Sequence, residues 1–395
     1  MYRPVTRTLM VAVKPKYTDS QTTAVSLPQG KKVLLVLPEV FEVTGGIQMF
    51  CRALCLAMGR WAEGNGATVS AFALNDSVAP DNRYVNSSFA YFVGAGKSKA
   101  MFIQHFLRHV LGSHYDLIIF GHVALSPLAI FCEVFKPRAK IGIVTYGIEV
   151  WKPLAKLQRR ALRQAEVVLA ISEYTKDELI KHNAIPAEKI KLLPCTLDPY
   201  WQMASTLTQS EHSPPMILSV TRMSKDDRYK GIDNVIKSIP DVVREVGPVE
   251  YRVIGRGTDV PRLQALAAGL GVSRYVNFMG GLSDAELRDQ YQHCSLFVMP
   301  SKKEGFGIVF LEAMAYGKAV IGGAHGGTPS VVKDGETGLL VDSSNVPDIT
   351  HSIVNLLRDK KLREKFGEAG RRRLLSDFTF EKFEHNLDEV LRPLL

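Results

Sequence analysis

The sequence has few cysteines and no long apolar run, and each absence excludes a class of protein. The five cysteines are Cys51, Cys55, Cys132, Cys195 and Cys294. They lack the paired spacing and the partner histidines of a metal site, so they indicate reduced thiols in a core. No apolar run reaches the roughly 18 residues that a membrane-spanning helix needs, and residues 1–32 lack the apolar stretch of a signal peptide. The sequence therefore predicts a protein that stays in the cytoplasm.

Positive charge is concentrated in the first half of the chain. Residues 1–200 contain 24 Lys and Arg against 15 Asp and Glu, and the formal net charge of the whole chain is +9. Such an excess indicates either contact with anions (nucleic acid, an anionic membrane or a phosphorylated substrate) or simply a solvated basic surface. No basic and aromatic motif of a known nucleic-acid module occurs, so nucleic acid is not an expected partner.

Apolar segments of strand length alternate with helical patterns in two series. The first series is 33–38, 69–74, 117–120, 141–145 and 167–171; the second is 216–220, 251–254, 276–278, 296–299, 319–321 and 339–341. This alternation predicts parallel sheets with helices on both faces, and a length of 395 residues favours two such units. The expected fold class is therefore α/β, with two Rossmann-like, doubly wound domains that face a cleft.

Composition and pattern divide the chain into five segments. Residues 1–30 are expected to be a flexible lead-in, 31–205 the N-terminal domain, 206–215 a linker and 216–377 the C-terminal domain. Residues 378–395 have apolar residues at helical spacing and do not begin another strand. We therefore expect the tail to be a helix that crosses back to the N-terminal domain.

The most informative stretch follows the apolar segment that ends at Pro300. Glu304 lies on the predicted loop at the carboxyl end of a buried strand, where ligands bind in open α/β sheets. Gly305 and Gly307 let a ligand approach the backbone closely, and the next helix begins with free N–H groups that favour phosphate. Glu312 is expected about two turns into that helix. By itself the stretch predicts either a site for a polyhydroxylated, phosphorylated ligand or a surface loop before an acidic helix.

With these motifs, the chain from about residue 33 to 390 resembles the retaining glycosyltransferases of family 4, which have the two-domain GT-B fold. The resemblance implies that the C-terminal domain holds a nucleotide-activated sugar, the N-terminal domain holds the acceptor, and chemistry occurs in the cleft. It also implies that Glu304 contacts donor-sugar hydroxyls while Glu312 binds the nucleoside ribose. The sugar and the diphosphate would be held by the backbone of Gly305, Phe306, Gly307 and Ile308.

A second matching segment runs from Ser219 to Gly231. The resemblance assigns Arg222 and Lys230 to the donor diphosphate, where fixed cations offset the charge that develops on the leaving group. Their spacing is longer than the commonest version in the family, and Arg228 competes for the role of Lys230. Read alone, the segment is equally typical of a solvated charged loop. No Asp-x-Asp motif of the metal-dependent transferases occurs, so we expect no metal and no cofactor beyond the nucleotide-sugar co-substrate.

Other donor-side matches are less specific. Gly255 lies in a glycine turn after the second strand of the C-terminal domain, and Met279 lies where the resemblance places the nucleotide base. Gly45 and Gly46 follow the first strand, where the family approaches the donor phosphates and the acceptor, although an ordinary turn suits these glycines equally well. Ser330 stands where the family commonly has an acidic residue, so the resemblance carries no role over to it.

Three candidate residues follow strands of the N-terminal domain. His122 is expected to face the cleft and to donate a hydrogen bond near the reacting centre, with a structural loop histidine as the alternative. Tyr146 stands where the family usually has histidine; it can donate a hydrogen bond but is no general base at neutral pH. Glu149 is the carboxylate expected nearest to the acceptor.

A basic amphipathic helix is predicted over 97–111. Its apolar stripe contains Phe102, Phe106 and Val110, and its basic residues lie elsewhere on the helix. A helix of this kind either lies on an anionic membrane or packs its stripe into a core. Because a second basic run follows over 152–163, we expect the N-terminal domain to dock peripherally on the inner face of the cell membrane.

The sequence thus predicts a retaining, metal-independent hexosyltransferase. Its donor would be a nucleotide sugar of the GDP-mannose or UDP-glucose type, and its acceptor a glycan or a polyprenyl-diphosphate-linked glycan at the cytoplasmic membrane face. Its catalytic residues would be Glu304, His122, Arg222 and Lys230. The alternatives are a sugar-nucleotide epimerase of the same fold, or a non-catalytic nucleotide-sugar-binding protein, which the departures at Tyr146 and Ser330 motivate.

Overall fold

Two parallel β-sheets form the framework of the molecule, for which a computed structural model describes residues 30–204 and 213–395. The strands are β1 (Lys32–Leu37), β2 (Thr68–Ala73), β3 (Phe89–Gly94), β4 (Leu117–Phe120), β5 (Lys140–Thr145), β6 (Val167–Ala170), β7 (Ile190–Leu192), β8 (Met216–Val220), β9 (Glu250–Ile254), β10 (Val276–Gly280), β11 (Leu296–Met299), β12 (Ala319–Gly323) and β13 (Gly338–Val341). One sheet has the order β3-β2-β1-β4-β5-β6-β7 and the other β10-β9-β8-β11-β12-β13.

Helices connect the strands and cover both faces of each sheet. They are α1 (Gly46–Asn65), α2 (Lys99–Gly112), α3 (Pro127–Phe135), α4 (Lys156–Gln164), α5 (Glu173–Asn183), α6 (Ile232–Val246), α7 (Val260–Gly269), α8 (Asp284–His293), α9 (Ile308–Ala315), α10 (Thr328–Val331), α11 (Val346–Arg358), α12 (Lys360–Asp377) and α13 (Phe380–Leu391). The α/β class with two doubly wound units is therefore confirmed.

In each sheet the order of strands reverses at one point. This point lies between β1 and β4 in the first sheet and between β8 and β11 in the second. Loops that leave neighbouring strands there run to opposite faces and open a crevice, which is where ligands bind in open α/β sheets. The candidate residues Lys230 and Glu304 follow β8 and β11, while Gly46 and His122 follow β1 and β4. The topology thus brings the main candidates to two facing crevices.

All eleven predicted strands are present, with ends that differ by no more than two residues. Two observed strands, β3 and β7, were missed, and both lie at an edge of the first sheet. Phe89–Gly94 is only partly buried, and Ile190–Leu192 has three residues. Neither gives a continuous buried apolar run, because an edge strand packs against one neighbour only.

The tail crosses back to the first sheet, as predicted. The ring of Phe383 in α13 meets the ring of Phe50 in α1 at 5.4 Å, nearly perpendicular. Beside them, Arg60 pairs with Glu384 at 3.2 Å. The apolar core on this side is continuous from α1 through α13 to the helices that cover the second sheet, so the two halves share one core.

Two of the predicted segments, the lead-in and the linker, lie wholly or mostly outside the residues that the structure describes. Residues 1–29 of the predicted lead-in and residues 206–212 of the predicted linker lie outside the described residues. The domain boundaries themselves stay predictions. All five cysteines, by contrast, are described, buried and not disulfide-bonded.

Candidate active site

The loop between β11 and α9 places a bare helix end in the crevice of the second sheet. Gly307 precedes α9 with a φ of 98°, a left-handed conformation that glycine adopts without strain. A Cβ atom at this position would lie 2.5 Å from the ring of Phe310. No side chain caps α9, so its first amide groups and the positive end of its dipole are available to an anion.

Lys230 and Glu304 form an ion pair across the point where the second sheet reverses. Lys230 Nζ lies 2.5 Å from Glu304 Oε2, and the two side chains are only 15% and 14% exposed. Burial alone would lower the pKa of Lys230, but the charge of Glu304 and its hydrogen bond, with a smaller effect of Asp227, outweigh it and raise that pKa above its ordinary value. Lys230 is therefore a permanent cation in the crevice.

The other basic residues of this segment have different partners. Arg222 contacts Asp227 at 3.3 Å, and its side chain is 76% exposed. Arg228 pairs with Asp259 at 3.0 Å. Asp259 also pairs with Arg262, at 2.6 Å. Of the two competitors for the diphosphate, Lys230 thus reaches Glu304 whereas Arg228 is engaged at the start of α7.

Glu312 is buried on the inner side of α9. Since α9 begins at Ile308, Glu312 lies little more than one turn into the helix, not the two turns expected. Its side chain is buried, and its Oε2 accepts a hydrogen bond of 2.7 Å from the Tyr291 hydroxyl. Burial raises the pKa of Glu312 to about 7, against the hydrogen bond from Tyr291, which lowers it. Glu312 consequently changes charge near neutral pH.

Backbone contacts join the two halves at the donor loop. A Cβ atom on Gly305 would lie 2.1 Å from the carbonyl oxygen of Tyr146, which follows β5 of the first sheet. Gly326, in the loop after β12, packs against Glu304 and against the indole of Trp151, 3.0 Å from where its Cβ atom would be. Any side chain at these positions would separate the halves, so glycine permits their close approach.

The less specific glycine candidates lie in the same region. A Cβ atom on Gly46 would be 3.8 Å from Cδ1 of Ile308, so the loop after β1 faces the start of α9. Gly45 precedes α1 with extended backbone, and no side chain caps this helix. Gly255 has a φ of 133° and packs on the Thr221 carbonyl, which explains this glycine without a ligand. Met279 is 39% exposed at the edge strand β10.

His122 lies at the carboxyl end of β4, as predicted. Its Nδ1 atom accepts a hydrogen bond of 3.0 Å from the amide of Ala124. Burial lowers the pKa of His122, and the nearby carboxylate of Glu149 opposes that shift. The ring is therefore neutral at pH 7 with its proton on Nε2, the atom that can donate to a ligand.

Tyr146 and Glu149, the two candidates for the acceptor side, both form hydrogen bonds with the protein backbone. The Tyr146 hydroxyl is buried, donates to the Gly121 carbonyl at 2.9 Å and lies 3.5 Å from Cys51 Sγ. Its pKa is raised well above the ordinary value by burial. One oxygen of Glu149 accepts the Tyr146 amide at 2.6 Å. The side chain of Tyr146 therefore supports the cleft from within, and Glu149 shapes the loop that touches Gly305.

The loop after β12 forms although Ser330 departs from the family pattern. Thr328–Val331 is helical, and the Ser330 carbonyl accepts a hydrogen bond of 2.9 Å from Arg373. Ser330 lines a cavity of about 580 Å³ between the halves, together with Phe306 and Tyr174. The turn is thus retained without a carboxylate at this position.

Sequence reasoning missed three residues that complete the site. Tyr291 binds the buried carboxylate of Glu312, Asp259 pairs with Arg228, and Trp151 touches the loop of Gly326. All three act across large separations in the chain. Only the aspartate, which follows a strand and precedes a helix, gave a local signal, because that position is typical of a helix N-cap.

The predicted amphipathic helix is present as α2, with its stripe turned inward. Phe102, Phe106 and Val110 are buried, whereas Ile103 and Leu111 are 38% and 52% exposed. The stripe therefore serves the core, which was the alternative interpretation. Within the described ranges, no helix is long and apolar enough to span a bilayer. The same ranges contain no group of three or more His, Cys, Asp or Glu side chains that could hold a metal ion.

Comparison with known proteins gives consistent relatives. The chain is 29% identical over 306 residues to the GDP-mannose-dependent alpha-(1-6)-phosphatidylinositol monomannoside mannosyltransferase of Mycolicibacterium smegmatis, covering 72% of this chain and 78% of that protein. It is 25% identical over 283 residues to the alpha-D-kanosaminyltransferase of Streptomyces kanamyceticus, with 69% of each chain covered.

Solved structures share the architecture at lower sequence identity. Sucrose-phosphate synthase from Thermosynechococcus elongatus superposes with a TM-score of 0.75 at 20% identity, covering 92% of this chain and 99% of that one. Anabaena HepE in complex with UDP and glucose gives 0.70 at 17% identity, covering 92% and 100%.

Two family models match consecutive parts of the chain. The model of Glycosyltransferase Family 4 matches residues 44–200, and that of Glycosyl transferases group 1 matches residues 207–373. These two ranges contain all the candidate residues named above. The chain therefore belongs to glycosyltransferase family 4 and is a glycosyltransferase of the GT-B fold.

Proposed function

We propose that this enzyme transfers a hexose, with retention at the anomeric carbon and without a metal ion, from a nucleotide sugar to a lipid-linked glycan. GDP-mannose is the preferred candidate donor, since several relatives from Mycolicibacterium, Mycobacterium and Corynebacterium are named GDP-mannose-dependent mannosyltransferases. The solved complex of HepE with UDP and glucose keeps a uridine donor open as the alternative.

The ion pair of Lys230 with Glu304 beside the uncapped end of α9 carries this proposal. A nucleoside diphosphate that leaves the sugar develops negative charge, which a fixed ammonium group and helix-end amides stabilise without reorganisation. Glu304 then accepts hydrogen bonds from sugar hydroxyls. Because Lys230 and Glu304 are paired with each other, donor binding exchanges one ion pair for two sets of ligand contacts.

The chemistry proceeds on one face of the sugar. The bond from C1 to the phosphate oxygen breaks, the acceptor oxygen bonds to C1 on the same face, and the acceptor proton passes to the departing phosphate oxygen. In this scheme neutral His122 donates from Nε2 to the sugar, while Arg222, exposed at the rim, closes on the diphosphate. No step requires a carboxylate nucleophile.

The acceptor part of the proposal rests on charge and on the relatives. The basic residues of α4 and its preceding loop, namely Lys152, Lys156, Arg159, Arg160 and Arg163, form no ion pair within the described part of the chain. Such unpaired cations favour an anionic surface. We place the enzyme on the cytoplasmic face of the membrane for that reason, and the mannosyltransferase relatives act on a phosphatidylinositol mannoside by name.

The donor and reaction type are tested together by nuclear magnetic resonance. The purified enzyme is incubated with GDP-mannose or UDP-glucose, alone and with a membrane lipid extract. Acceptor-dependent release of the nucleoside diphosphate with a new α-anomeric signal supports the proposal. A new β-anomeric signal contradicts retention, conversion of donor without acceptor indicates an epimerase, and unchanged donor that still binds indicates a non-catalytic protein. Loss of activity in chelator, restored by a divalent ion, contradicts metal independence.

A further inference from the structure

The loop between β1 and α1 is held by a carboxylate from another loop. Asp76, just beyond β2, is fully buried. Its oxygens accept hydrogen bonds from three consecutive amides: Val40 at 3.0 Å, Phe41 at 3.0 Å and Glu42 at 3.0 Å. Three successive N–H groups converge on one carboxylate only if the loop curls around it, so Asp76 dictates the course of residues 40–42.

The contact is reciprocal. The carboxylate of Glu42 accepts hydrogen bonds from both the amide and the hydroxyl of Ser77, at 2.9 Å and 2.7 Å. Asp76 thus binds the amide of Glu42, and the side chain of Glu42 in turn binds Ser77, the residue after Asp76. We call these contacts the Asp76–Glu42 clamp, which joins the loop after β1 to the loop after β2.

The same segment is fixed on its other side by α1. Arg52 Nε donates to the Val40 carbonyl at 2.9 Å, and an Nη atom donates to the Val43 carbonyl at 3.2 Å. The loop therefore has little freedom before it reaches Gly45 and Gly46. Gly46 in turn faces Ile308 at the start of α9 across the cleft, so the clamp sets where this glycine turn stands relative to the donor site.

Burying the carboxylate of Asp76 carries a free-energy penalty. Burial raises its pKa, against the three amides, which lower it. Within residues 30–204 and 213–395, no Lys, Arg or His pairs with this carboxylate. A buried charge without a cation destabilises a fold unless hydrogen bonds compensate. Its placement behind a loop that faces the proposed donor site indicates that the loop geometry matters beyond folding.

We infer that Asp76 is a positioning residue, which holds residues 40–42 so that Gly45 and Gly46 meet the donor phosphates when the cleft is occupied. The inference rests on the proposed function for its catalytic consequence. Asp76 does not itself reach the ligand. It acts through the backbone of the segment that it binds, and its loss should slow transfer while the nucleotide site of the second sheet stays intact.

The test compares Asp76→Asn with Asp116→Asn in the full chain. Asp116 also accepts a backbone amide in the first sheet, from Lys32 at 2.9 Å, but before β4 and so at the opposite end of the strands. Hydrogen exchange reports the loop directly. We expect the amides of residues 40–42 to exchange at least ~10-fold faster in Asp76→Asn only, because an amide cannot accept all three hydrogen bonds.

Kinetics report the catalytic consequence. We expect kcat of Asp76→Asn to fall about 10-fold or more, with Kd for the free nucleoside diphosphate raised by no more than about threefold because the groups of the second sheet still bind it, and no change for Asp116→Asn. Unaltered exchange in residues 40–42 overturns the clamp, and kcat within twofold of wild type overturns the positioning role. A wild-type enzyme that transfers no sugar from any donor refutes the proposed function instead, and the exchange difference then still decides the clamp.

A second variant covers the case in which Asp76→Asn does not fold. Glu42→Gln changes a partly exposed carboxylate and weakens the other half of the clamp. We expect the amides of residues 40–42 to exchange faster and kcat to fall, as in Asp76→Asn but by less, with kcat lower by about threefold. Wild-type exchange and wild-type kcat in Glu42→Gln overturn the inference.

Discussion

Lys230 Nζ and Glu304 Oε2 lie 2.5 Å apart between the ends of β8 and β11, and both side chains are about 85% buried. Glu304 is therefore the main electrostatic partner of Lys230. A ligand that separates them has to replace both interactions, and a phosphorylated sugar does so with an anion at one end and hydroxyl groups at the other.

Glu304→Gln and Lys230→Met separate stability from turnover. Each single substitution leaves a buried charge without its partner and should lower the free energy of unfolding by about 2 kcal/mol. The double substitution removes both charges and should recover most of that loss. All three variants should lose at least ~100-fold in kcat/KM. Chemical denaturation and steady-state assays with the identified donor provide the two measurements.

Lys237→Met is a suitable control, because Lys237 forms an exposed ion pair with Asp233 on α6. Lys237→Met should change neither the free energy of unfolding nor kcat/KM appreciably. Near wild-type activity in Glu304→Gln would show that this carboxylate does not hold the sugar.

Glu312 should make donor binding and stability respond to pH in opposite directions. Its pKa in the folded protein is raised to about 7 by burial, above its ordinary value of 4.5. Between these values the folded state binds more protons than the unfolded state, so this residue lowers stability as the pH rises from 4.5 to 7. The carboxylate that forms is the better acceptor for ribose hydroxyls, so Kd for the nucleoside diphosphate should decrease from pH 6 to 8.

Glu312→Gln isolates this residue. The variant should be more stable than wild type at pH 8, by about 1–3 kcal/mol, and should bind the nucleoside diphosphate more weakly with no pH dependence between 6 and 8. Denaturation and calorimetric titration at both pH values measure this. A wild-type Kd that is constant over the range would contradict the assignment.

His122 should be required in its neutral form. Burial lowers its pKa below the ordinary value, so protonation begins only as the pH falls below about 6.5. We expect kcat to be flat from pH 7 to 8 and to fall in more acidic buffer. His122→Gln should lose about 10- to 100-fold in kcat with little change in Kd for the nucleoside diphosphate. His182→Gln, in α5, is the control, and an acidic limb that persists in His122→Gln would exclude this residue as its source.

Gly305→Ala should force the two halves apart. A Cβ atom there would lie 2.1 Å from the Tyr146 carbonyl oxygen, well inside contact distance. We expect an expanded molecule in small-angle scattering and a loss of at least ~100-fold in kcat/KM, because the groups of the two sheets no longer meet. Gly269→Ala, where an added Cβ atom meets nothing within 4 Å, should behave as wild type. An unchanged scattering profile would show that the contact yields without opening the cleft.

Membrane docking should depend on the basic residues of α4. Replacing Arg159, Arg160 and Arg163 by serine should weaken binding to anionic liposomes about 10-fold or more, since each basic residue near such a surface contributes about 1 kcal/mol. The control removes three arginines from exposed ion pairs of the second half, Arg244, Arg358 and Arg372. Flotation is the assay. Equal, negligible binding of the wild type to anionic and neutral liposomes would remove membrane docking from the proposal.

Local patterns were sufficient for the strands and for the donor loop. Apolar runs such as Leu117–Phe120 and Leu296–Met299 are buried on both faces and therefore leave a direct signal in sequence. The pairing of Lys230 with Glu304 was within reach, because both follow strands that the topology makes neighbours. The burial of Tyr146 was not, since its hydroxyl meets a carbonyl and a thiol from distant segments.

The same limit applies to the residues that support the site. Tyr291 reaches Glu312 from a helix that precedes β11, and Asp76 binds amides 34 to 36 positions away. Their side chains match no spacing rule along the chain, because tertiary packing alone brings them together. For α2, the apolar periodicity predicted the helix correctly but left open whether its apolar stripe faces a membrane or the core. The structure shows that the stripe faces inward.

The path of the last helix determines how this enzyme can be recombined with its relatives. Residues 380–391 follow the second sheet in sequence but pack their phenylalanines and leucines on α1 of the first. In a chimaera that takes its donor-binding half from another transferase, these residues have to come from the parent that supplies residues 30–204. A crossover point near residue 378, together with one between the sheets, preserves both interfaces, whereas a single exchange in the linker mismatches the tail with its partner.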